Sequence, residues 1–224
     1  MFSAVLFDLD DTLHDRAGSL RQFLIKQHQR SFMGRVAVEN FVDGFLCLDA
    51  HGSLAKSVLY PRLMTELEID DVPGDLLTAE YGRDFHQHAR PADGALSLLT
   101  ALRQTGIKLG VVSNGWTDFQ QRTVDAIGVR DAVDAILISE AEGLRKPDAR
   151  LFKRAADRLG ITPEACLFVG DNPVADVLGA QTAGMRSVWL RRGMEWPSEH
   201  PPAMLRVDHL LEILELASGQ PQRT

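Results

Sequence analysis

Five short and nearly continuous apolar runs recur along the chain, and they constrain its fold more than any other feature. The runs lie at 4–7, 109–112, 135–138, 166–169 and 187–190. A strand buried on both faces has this appearance, whereas a strand with one solvated face alternates apolar and polar residues. Helical patterns lie between the runs, and strands that alternate with helices build a parallel sheet covered on both faces. We therefore predict the α/β class, with a Rossmann-like doubly wound parallel sheet.

Three helices of this predicted fold have recognisable ends. The segment 95–105 stops at Gly106 and the segment 148–159 stops at Gly160, and glycine commonly follows the last residue of a helix. The segment 172–182 begins with Pro173, which suits a first turn because the N–H that proline lacks has no partner there. By the same rule, Pro147 is placed at the start of the helix over 148–159.

Residues 14–91 interrupt the alternation of strands and helices. Apolar residues recur there at helical spacing, as in Leu20, Leu24 and Phe32, and no strand pattern appears. Pro61 is expected to kink or end one of the helices. We predict a core domain formed by 1–13 and 92–224, with an inserted domain of about four helices over 14–91.

Composition and charge exclude several classes of protein. The chain has 224 residues, with 24 basic and 31 acidic side chains and a net charge of −7. This balance argues against a nucleic-acid partner or an anionic membrane surface. The N-terminus lacks the pattern of a signal peptide, no apolar stretch approaches the roughly 20 residues of a membrane span, and Cys47 and Cys166 read as two buried free thiols. We expect a cytoplasmic protein, either a monomer or a homodimer.

Candidate catalytic residues follow the first apolar run. Asp8 and Asp10 are two residues apart, which puts both carboxylates on one face of an extended chain, with Leu9 turned into the core. Two such carboxylates repel, so a cation holds them together or one takes a proton. One can then attack as a nucleophile while the other transfers a proton. Asp11-Thr12 is equally compatible with an ordinary turn or helix cap.

Polar residues also follow the next apolar runs. Ser113, Asn114 and Gly115 have the groups that cradle an anion such as phosphate, although Asn-Gly is also a common turn pair. Lys146 precedes a predicted helix, where it offsets negative charge or simply faces solvent. Asp171 ends a strand as Asp8 does, and oxygen ligands at such a place suit Mg²⁺.

The helix after Asp171 adds two further polar residues. Asp176 lies five residues on, in or near the first turn, where it can support a metal-bound water or hold the lysine. The alternative for Asp171 and Asn172 is helix capping.

Taken in order, these four groups resemble the four motifs of the haloacid dehalogenase superfamily of hydrolases. The matching segments are Asp8-Leu9-Asp10-Asp11-Thr12-Leu13, Ser113-Asn114, Lys146-Pro147-Asp148 and Gly170-Asp171-Asn172-Pro173-Val174-Ala175-Asp176. The insert over 14–91 stands where the branch of phosphoglycolate phosphatase, β-phosphoglucomutase and 2-haloacid dehalogenase carries a helical cap domain. The resemblance therefore extends over the whole chain.

The resemblance implies a role for each matching residue. Asp8 would be the nucleophile that becomes an aspartyl-phosphate, and Asp10 would protonate the leaving alcohol and then activate water. Ser113, with the neighbouring backbone amides of Asn114 and Gly115, would bind the phosphoryl group, and Lys146 would stabilise its charge. The implied Mg²⁺ ligands are Asp8, the main-chain oxygen of Asp10 and Asp171, supported by Asn172 and Asp176.

The implied activity is a Mg²⁺-dependent phosphatase acting on a small phosphorylated metabolite. Asp10 disfavours a 2-haloacid dehalogenase, because dehalogenases of this superfamily lack an acid there and a halide leaves without a proton. A phosphomutase of the β-phosphoglucomutase kind would use the same residues and stays open, and a binding role without catalysis is disfavoured by the complete motif set.

Substrate contacts are harder to predict from the sequence. The candidates are His14, Asp15 and Arg16 just after the catalytic loop, the turn over 50–53, and Trp116 just past the Ser113 loop. Arg191 and Arg192 read mainly as a solvated pair.

Overall fold

The computed structural model describes residues 2–32 and 34–218. Contacts divide the chain into two compact units, one formed by Met1–Asp15 and Arg90–Thr224 and the other by Arg16–Ala89. Helices and strands in chain order are β1 (Ala4–Phe7), α1 (Arg16–Ser31), α2 (Val38–Asp49), α3 (Lys56–Glu66), α4 (Gly74–Asp84), α5 (Ala95–Gln104), β2 (Lys108–Ser113), α6 (Thr117–Ala126), β3 (Ala135–Ile138), α7 (Ser139–Glu142), α8 (Ala149–Leu159), β4 (Cys166–Gly170), a π-helical segment (Pro173–Leu178) that continues into α9 (Gly179–Thr182), β5 (Arg186–Leu190), β6 (Arg206–Val207) and α10 (Ile213–Ser218). Short 3₁₀ turns lie at Ala50–Gly52, Phe85–His88, Arg130–Ala132, Pro163–Ala165 and Leu210–Glu212.

The larger unit contains a six-stranded sheet in the order β3-β2-β1-β4-β5-β6, and every neighbouring pair is parallel. The α/β class with a parallel Rossmann-like sheet is thereby confirmed. The chain moves from β1 outward to β2 and β3, and then returns to place β4 on the other side of β1. Polar groups after β1 and β4 thus meet where the strand order reverses, which is where ligands bind in open α/β sheets.

Burial on both faces explains why the strands are continuously apolar. Ala4 and Leu6 pack in one cluster with Phe152 of α8. Val5 and Phe7 are fully buried as well, and they point the other way because side chains alternate along a strand. Each face of β1 is therefore covered, and no position on it tolerates a charge.

Helix α8 shows how local sequence sets an element's limits. The Asp148 side chain accepts a hydrogen bond from the Arg150 N–H as the N-cap, and Gly160 ends the helix in the left-handed conformation. A cap of this kind contributes about 1 kcal/mol. The predicted end is confirmed, but the start is corrected: Pro147 lies before the cap, and the helix begins at Ala149.

The smaller unit is helical. α3 packs against both α2 and α4, and α1 packs against α2. Aromatic rings fill its centre, with Phe45 edge-on to Tyr60 at 5.2 Å and Phe23 edge-on to Tyr81 at 5.5 Å between centroids. Of the two expectations for Pro61, a kink or a helix end, the helix end is wrong, because α3 continues through the proline. Residues on both sides of the proline, including Tyr60 and Leu63, are fully buried, and this packing offsets the lost hydrogen bond.

The two cysteines differ from expectation in one respect. Both are free thiols, but Cys47 is exposed and only Cys166 is buried. Within the described residues, none of the helices combines the length and the apolar character that crossing a bilayer requires.

Candidate active site

Three neighbouring strands bring the predicted site residues together. Phe7, the last residue of β1, pairs with Val111 of β2 on one side and Val169 of β4 on the other. The carboxyl ends of these strands therefore lie side by side. Asp8 follows β1, Ser113 closes β2 and Asp171 follows β4, so residues more than 160 positions apart reach one edge of the sheet.

Lys146 is the buried cation at this edge. Its Nζ atom lies 2.5 Å from Oδ1 of Asp8 and 2.7 Å from Oδ1 of Asp176, and only 2% of its side chain is exposed. The ammonium group also lies 5.5 Å from the centre of the Phe168 ring. The alternative that Lys146 simply faces solvent is wrong, since its side chain is buried and links two carboxylates.

The charges of this cluster are unevenly balanced. Burial raises the pKa of Asp8 well above its ordinary value, and the nearby carboxylates of Asp176 and Asp171 raise it further against the opposing effect of Lys146. Burial, Asp176 and Asp11 raise the pKa of Asp171 to about 7. Burial opposes the charge of Lys146, but Asp176 and Asp8 outweigh it and raise its pKa. Lys146 therefore stays protonated, and the site retains more negative charge than one lysine neutralises.

Asp8, Asp171 and Asp176 form the acidic part of the cluster. One carboxylate oxygen from each lies within 4.8 Å of the others. Both carboxylate oxygens of Asp176 already have contacts: Oδ1 pairs with Lys146, and Oδ2 accepts a hydrogen bond from the Asn172 N–H at 3.0 Å. These contacts favour a supporting role for Asp176, and they leave Asp8 and Asp171 as the carboxylates best suited to a cation.

Gly170 makes this arrangement possible. A Cβ atom at this position would lie 2.4 Å from Oδ2 of Asp176 and 2.5 Å from its Cβ. A side chain at 170 would therefore displace the carboxylate that holds Lys146. Next to it, Asn172 accepts hydrogen bonds from the N–H groups of Val174 and Ala175, so the capping interpretation of Asn172 is confirmed.

Asp10 is held on both carboxylate oxygens. Nδ1 of His14 lies 2.7 Å from Oδ1, and Nε2 of Gln120 donates to Oδ2 at 2.8 Å. His14 is completely buried. The suggestion that His14 contacts substrate is therefore corrected: its imidazole faces Asp10.

Asn114 links two of the predicted motifs. Its Nδ2 donates to the Lys146 carbonyl at 3.0 Å, and its Oδ1 accepts from the Lys146 N–H at 2.9 Å. The side chain thus fixes the loop that carries the lysine. Gly115 donates its N–H to Oγ of Ser139 at 3.0 Å. That the backbone of Asn114 and Gly115 binds phosphate stays a prediction.

Three further residues of the site were missed or misread in the sequence. Gln120 lies on the buried stripe of α6 with Thr123 and Val124, and a glutamine among such positions was the available signal. Trp189 donates from Nε1 to the Asp171 carbonyl at 2.8 Å. Arg192 donates to the carbonyls of Asp11 and Thr12 at 2.8 and 2.9 Å; it is exposed as predicted, but these two contacts were not.

The motif spacing and this geometry agree with a comparison against known families. The sequence pattern of the haloacid dehalogenase-like hydrolases matches residues 2–184. The chain belongs to this family. It is accordingly a hydrolase, and the family membership predicted from the four motifs is confirmed.

Individual members of the family give further context. A phosphoserine phosphatase from Thermus thermophilus is 38% identical over 119 residues, which cover 53% of this chain and about half, 48%, of that protein. A glyceraldehyde 3-phosphate phosphatase from Methanopyrus kandleri is 29% identical, covering 96% of this chain and 97% of its own.

The fold is shared with solved structures of the family. The L-2-haloacid dehalogenase from Xanthobacter autotrophicus has a TM-score of 0.75 at 20% identity, with 99% of this chain and 100% of that chain covered. A phosphatase of the family from Thermococcus onnurineus has a TM-score of 0.67 at 24% identity, with 97% and 99% covered. Fold alone does not separate dehalogenase from phosphatase, and the distinction rests on site residues.

Proposed function

We propose that this hydrolase is a Mg²⁺-dependent phosphatase that hydrolyses a small phosphomonoester metabolite through an aspartyl-phosphate at Asp8. The observation that carries the proposal is an acid, Asp10, two residues after the nucleophile, with both carboxylate oxygens held by hydrogen bonds. A phosphate ester needs a proton donor for its leaving alkoxide, whereas a halide needs none. The phosphatase names of the relatives from Thermus thermophilus and Methanopyrus kandleri agree with this choice.

Asp8 supplies the nucleophile of the first step. Its oxygen attacks phosphorus, the bond between phosphorus and the leaving oxygen breaks, and Asp10 gives a proton to that oxygen. Lys146, 2.5 Å from Asp8, offsets the repulsion between the carboxylate and the anionic phosphoryl group. The Ser113 hydroxyl donates to a phosphoryl oxygen. Fixed donors and charges aimed at the transferring group are the main source of catalysis in phosphoryl transfer.

Asp10 changes role in the second step. It accepts a proton from water as the water oxygen attacks phosphorus, and the bond between phosphorus and Asp8 breaks. Asp8 returns as a carboxylate and inorganic phosphate leaves. The proton that Asp10 lost to the alcohol is thereby replaced, and the two steps sum to ester plus water giving alcohol plus phosphate.

The acidic cluster fits a hard divalent cation. Carboxylate oxygens of Asp8 and Asp171, with the main-chain oxygen of Asp10, form the donor set that Mg²⁺ prefers, and Asp8 and Asp171 lie close enough to share one ion. Burial and the neighbouring carboxylates raise their pKa values, so Lys146 compensates the buried negative charge there only in part. When bound, Mg²⁺ would neutralise this charge and polarise the phosphoryl group.

This fit predicts how stability depends on pH. Asp171 ionises near pH 4 when unfolded and near pH 7 when folded, so the folded, metal-free protein binds more protons between these values. The contribution of Asp171 to the stability of the metal-free protein therefore falls as pH rises from about 4 to about 7. Mg²⁺ binds the ionised form, so the rise in melting temperature caused by Mg²⁺ is expected to grow between pH 5 and pH 8.

Melting curves in EDTA and in Mg²⁺ across that pH range measure this dependence, with Asp171→Asn as the comparison. In the variant we expect the Mg²⁺-induced rise to be small at every pH. A rise that is equal at pH 5 and pH 8 in the wild type would contradict the assignment of Asp171 to the metal.

The proposed activity is tested by phosphate release from a panel of phosphomonoesters, with Mg²⁺ and with EDTA. We expect release that requires Mg²⁺, strongest with small sugar or carboxylic-acid phosphates. Isomerisation of a sugar phosphate in the presence of a bisphosphate primer, without phosphate release, would identify a mutase. Halide release from 2-haloacids would identify a dehalogenase, and either of these results would overturn the proposal.

A further inference from the structure

Gln120 directly connects the first and second motifs of the site. Its Nε2 atom lies 2.8 Å from Oδ2 of Asp10, 2.9 Å from Oγ of Ser113 and 3.2 Å from the Asn114 carbonyl. Only 3% of the residue is exposed. Two N–H groups thus serve three oxygens, each of which belongs to the catalytic loops.

The oxygen of the same carboxamide lowers the stability of the fold. Oε1 of Gln120 is buried and has no hydrogen-bond partner among the described residues. A buried unpaired carbonyl lowers stability, and an apolar side chain on this stripe of α6 would avoid that cost. Such a residue calls for an explanation other than stability, and the three oxygens around Nε2 supply one.

Gly115 has no side chain, and this leaves room for the Gln120 carboxamide. A Cβ atom at 115 would lie 2.9 Å from Cγ and 3.0 Å from Nε2 of Gln120, and Gly115 has φ +155°. The turn after β2 therefore needs glycine partly so that the Gln120 carboxamide can pass beneath it to reach Asp10.

We propose that Gln120 is a positioning residue for the acid–base step: its carboxamide holds the Asp10 carboxylate against the Ser113 hydroxyl. The inference rests on the proposed phosphatase function and goes beyond it, because it assigns a role to a residue outside the four motifs. His14 holds the other oxygen of Asp10 at 2.7 Å. Because both oxygens are held, the Asp10 carboxylate cannot rotate away from the leaving oxygen that receives its proton.

The expected signature is a dependence on the leaving group. A p-nitrophenolate leaves without a proton, whereas an alkoxide needs one from Asp10. The ratio kcat/KM covers the steps up to departure of the leaving group, so it isolates this difference. In Gln120→Met we expect kcat/KM for an alkyl phosphate to fall about 10–100-fold, part of the roughly 10²–10⁴-fold that a positioned acid contributes. For p-nitrophenyl phosphate we expect only a few-fold loss.

Three further variants separate positioning from packing. Gln120→Leu removes the N–H donors without adding a charge, and the same selective loss is expected. Ser113→Ala is expected to lower kcat/KM alike for both esters, because it removes a phosphoryl contact. Gln121→Met, one residue along the same helix, alters a side chain that contacts Arg130. It should leave kcat/KM unchanged for both esters.

An activity-independent measurement completes the test. The side-chain amide resonance of Gln120, recognised by its absence in Gln120→Met, should shift in Asp10→Asn and in Ser113→Ala. The inference is overturned if this resonance responds to neither change. It is also overturned if, with an active wild type, Gln120→Met lowers kcat/KM equally for both esters or for neither. A wild type inactive on every ester would instead refute the proposed phosphatase, and the positioning role with it.

Discussion

Replacing Asp8 by Asn is expected to lower turnover about 10⁴-fold or more, the scale seen when a covalent nucleophile is removed. The amide nitrogen and oxygen keep the shape of the carboxylate but do not attack phosphorus. Ser113, Lys146 and Asp10 remain in place, so substrate binding should survive better than turnover does. A large fall in kcat with a modest change in KM is the expected pattern.

The fold of Asp8→Asn should be unharmed. Burial and neighbouring carboxylates already raise the pKa of Asp8, so a neutral side chain relieves repulsion in the metal-free protein. Lys146 retains Asp176 as a partner at 2.7 Å. The variant is therefore expected to melt at or above the wild-type temperature in EDTA and to gain less than the wild type from Mg²⁺. A site that sacrifices stability for activity behaves in this way.

Phosphate release, intact-protein mass and melting temperature together check the Asp8 prediction. The wild type quenched during turnover should carry one added phosphoryl group, and Asp8→Asn should carry none. Asp118→Asn serves as the matched control, because Asp118 is exposed on α6. Near-normal turnover in Asp8→Asn would mean that another group attacks phosphorus.

The sequence predicted the sheet well because each strand is buried on both faces. Continuous apolar runs leave little ambiguity about β1 to β5, and their order along the chain implied the parallel arrangement. β6 was not predicted, because Arg206–Val207 is only two residues long and contains no apolar run. Pro61 shows the opposite failure: local propensity argued for a helix end, but tertiary packing around Tyr60 and Leu63 prevailed.

The site was predictable where motifs concentrate charge and spacing near strand ends. Asp8, Ser113, Lys146 and Asp171 fall into that group, and the structure brings them to one edge of the sheet. The contacts of Gln120 and Arg192 were missed because their partners are distant in sequence, Gln120 being 110 residues from Asp10 and Arg192 being 181 residues from Asp11. No local pattern encodes such contacts, so sequence reasoning finds the reacting groups more readily than the residues that hold them.

Replacing Lys146 by Met is expected to lower turnover about 10²–10³-fold, the usual cost of removing one fixed group that stabilises transition-state charge. Methionine preserves most of the volume and the contact with Phe168, so the change isolates the ammonium charge. Without it, the Asp8 carboxylate would meet the anionic phosphoryl group without the positive side chain that lies beside it in the described part of the chain. The loss should appear in kcat and kcat/KM alike, because the charge matters most in the transition state.

Stability gives the Lys146→Met prediction a second and independent readout. Removing one partner of a buried ion pair costs about 3–5 kcal/mol when the remaining charge stays buried. Here Asp8, with its raised pKa, relieves part of that cost by taking a proton. The metal-free variant should therefore lose more melting temperature at high pH than at low pH, and Mg²⁺ should restore stability without restoring turnover. Lys153→Met, at an exposed position of α8, should change neither property. If Lys146→Met keeps near-normal turnover, the lysine only holds Asp8 and Asp176 together, and the charge that opposes phosphate repulsion must come from elsewhere.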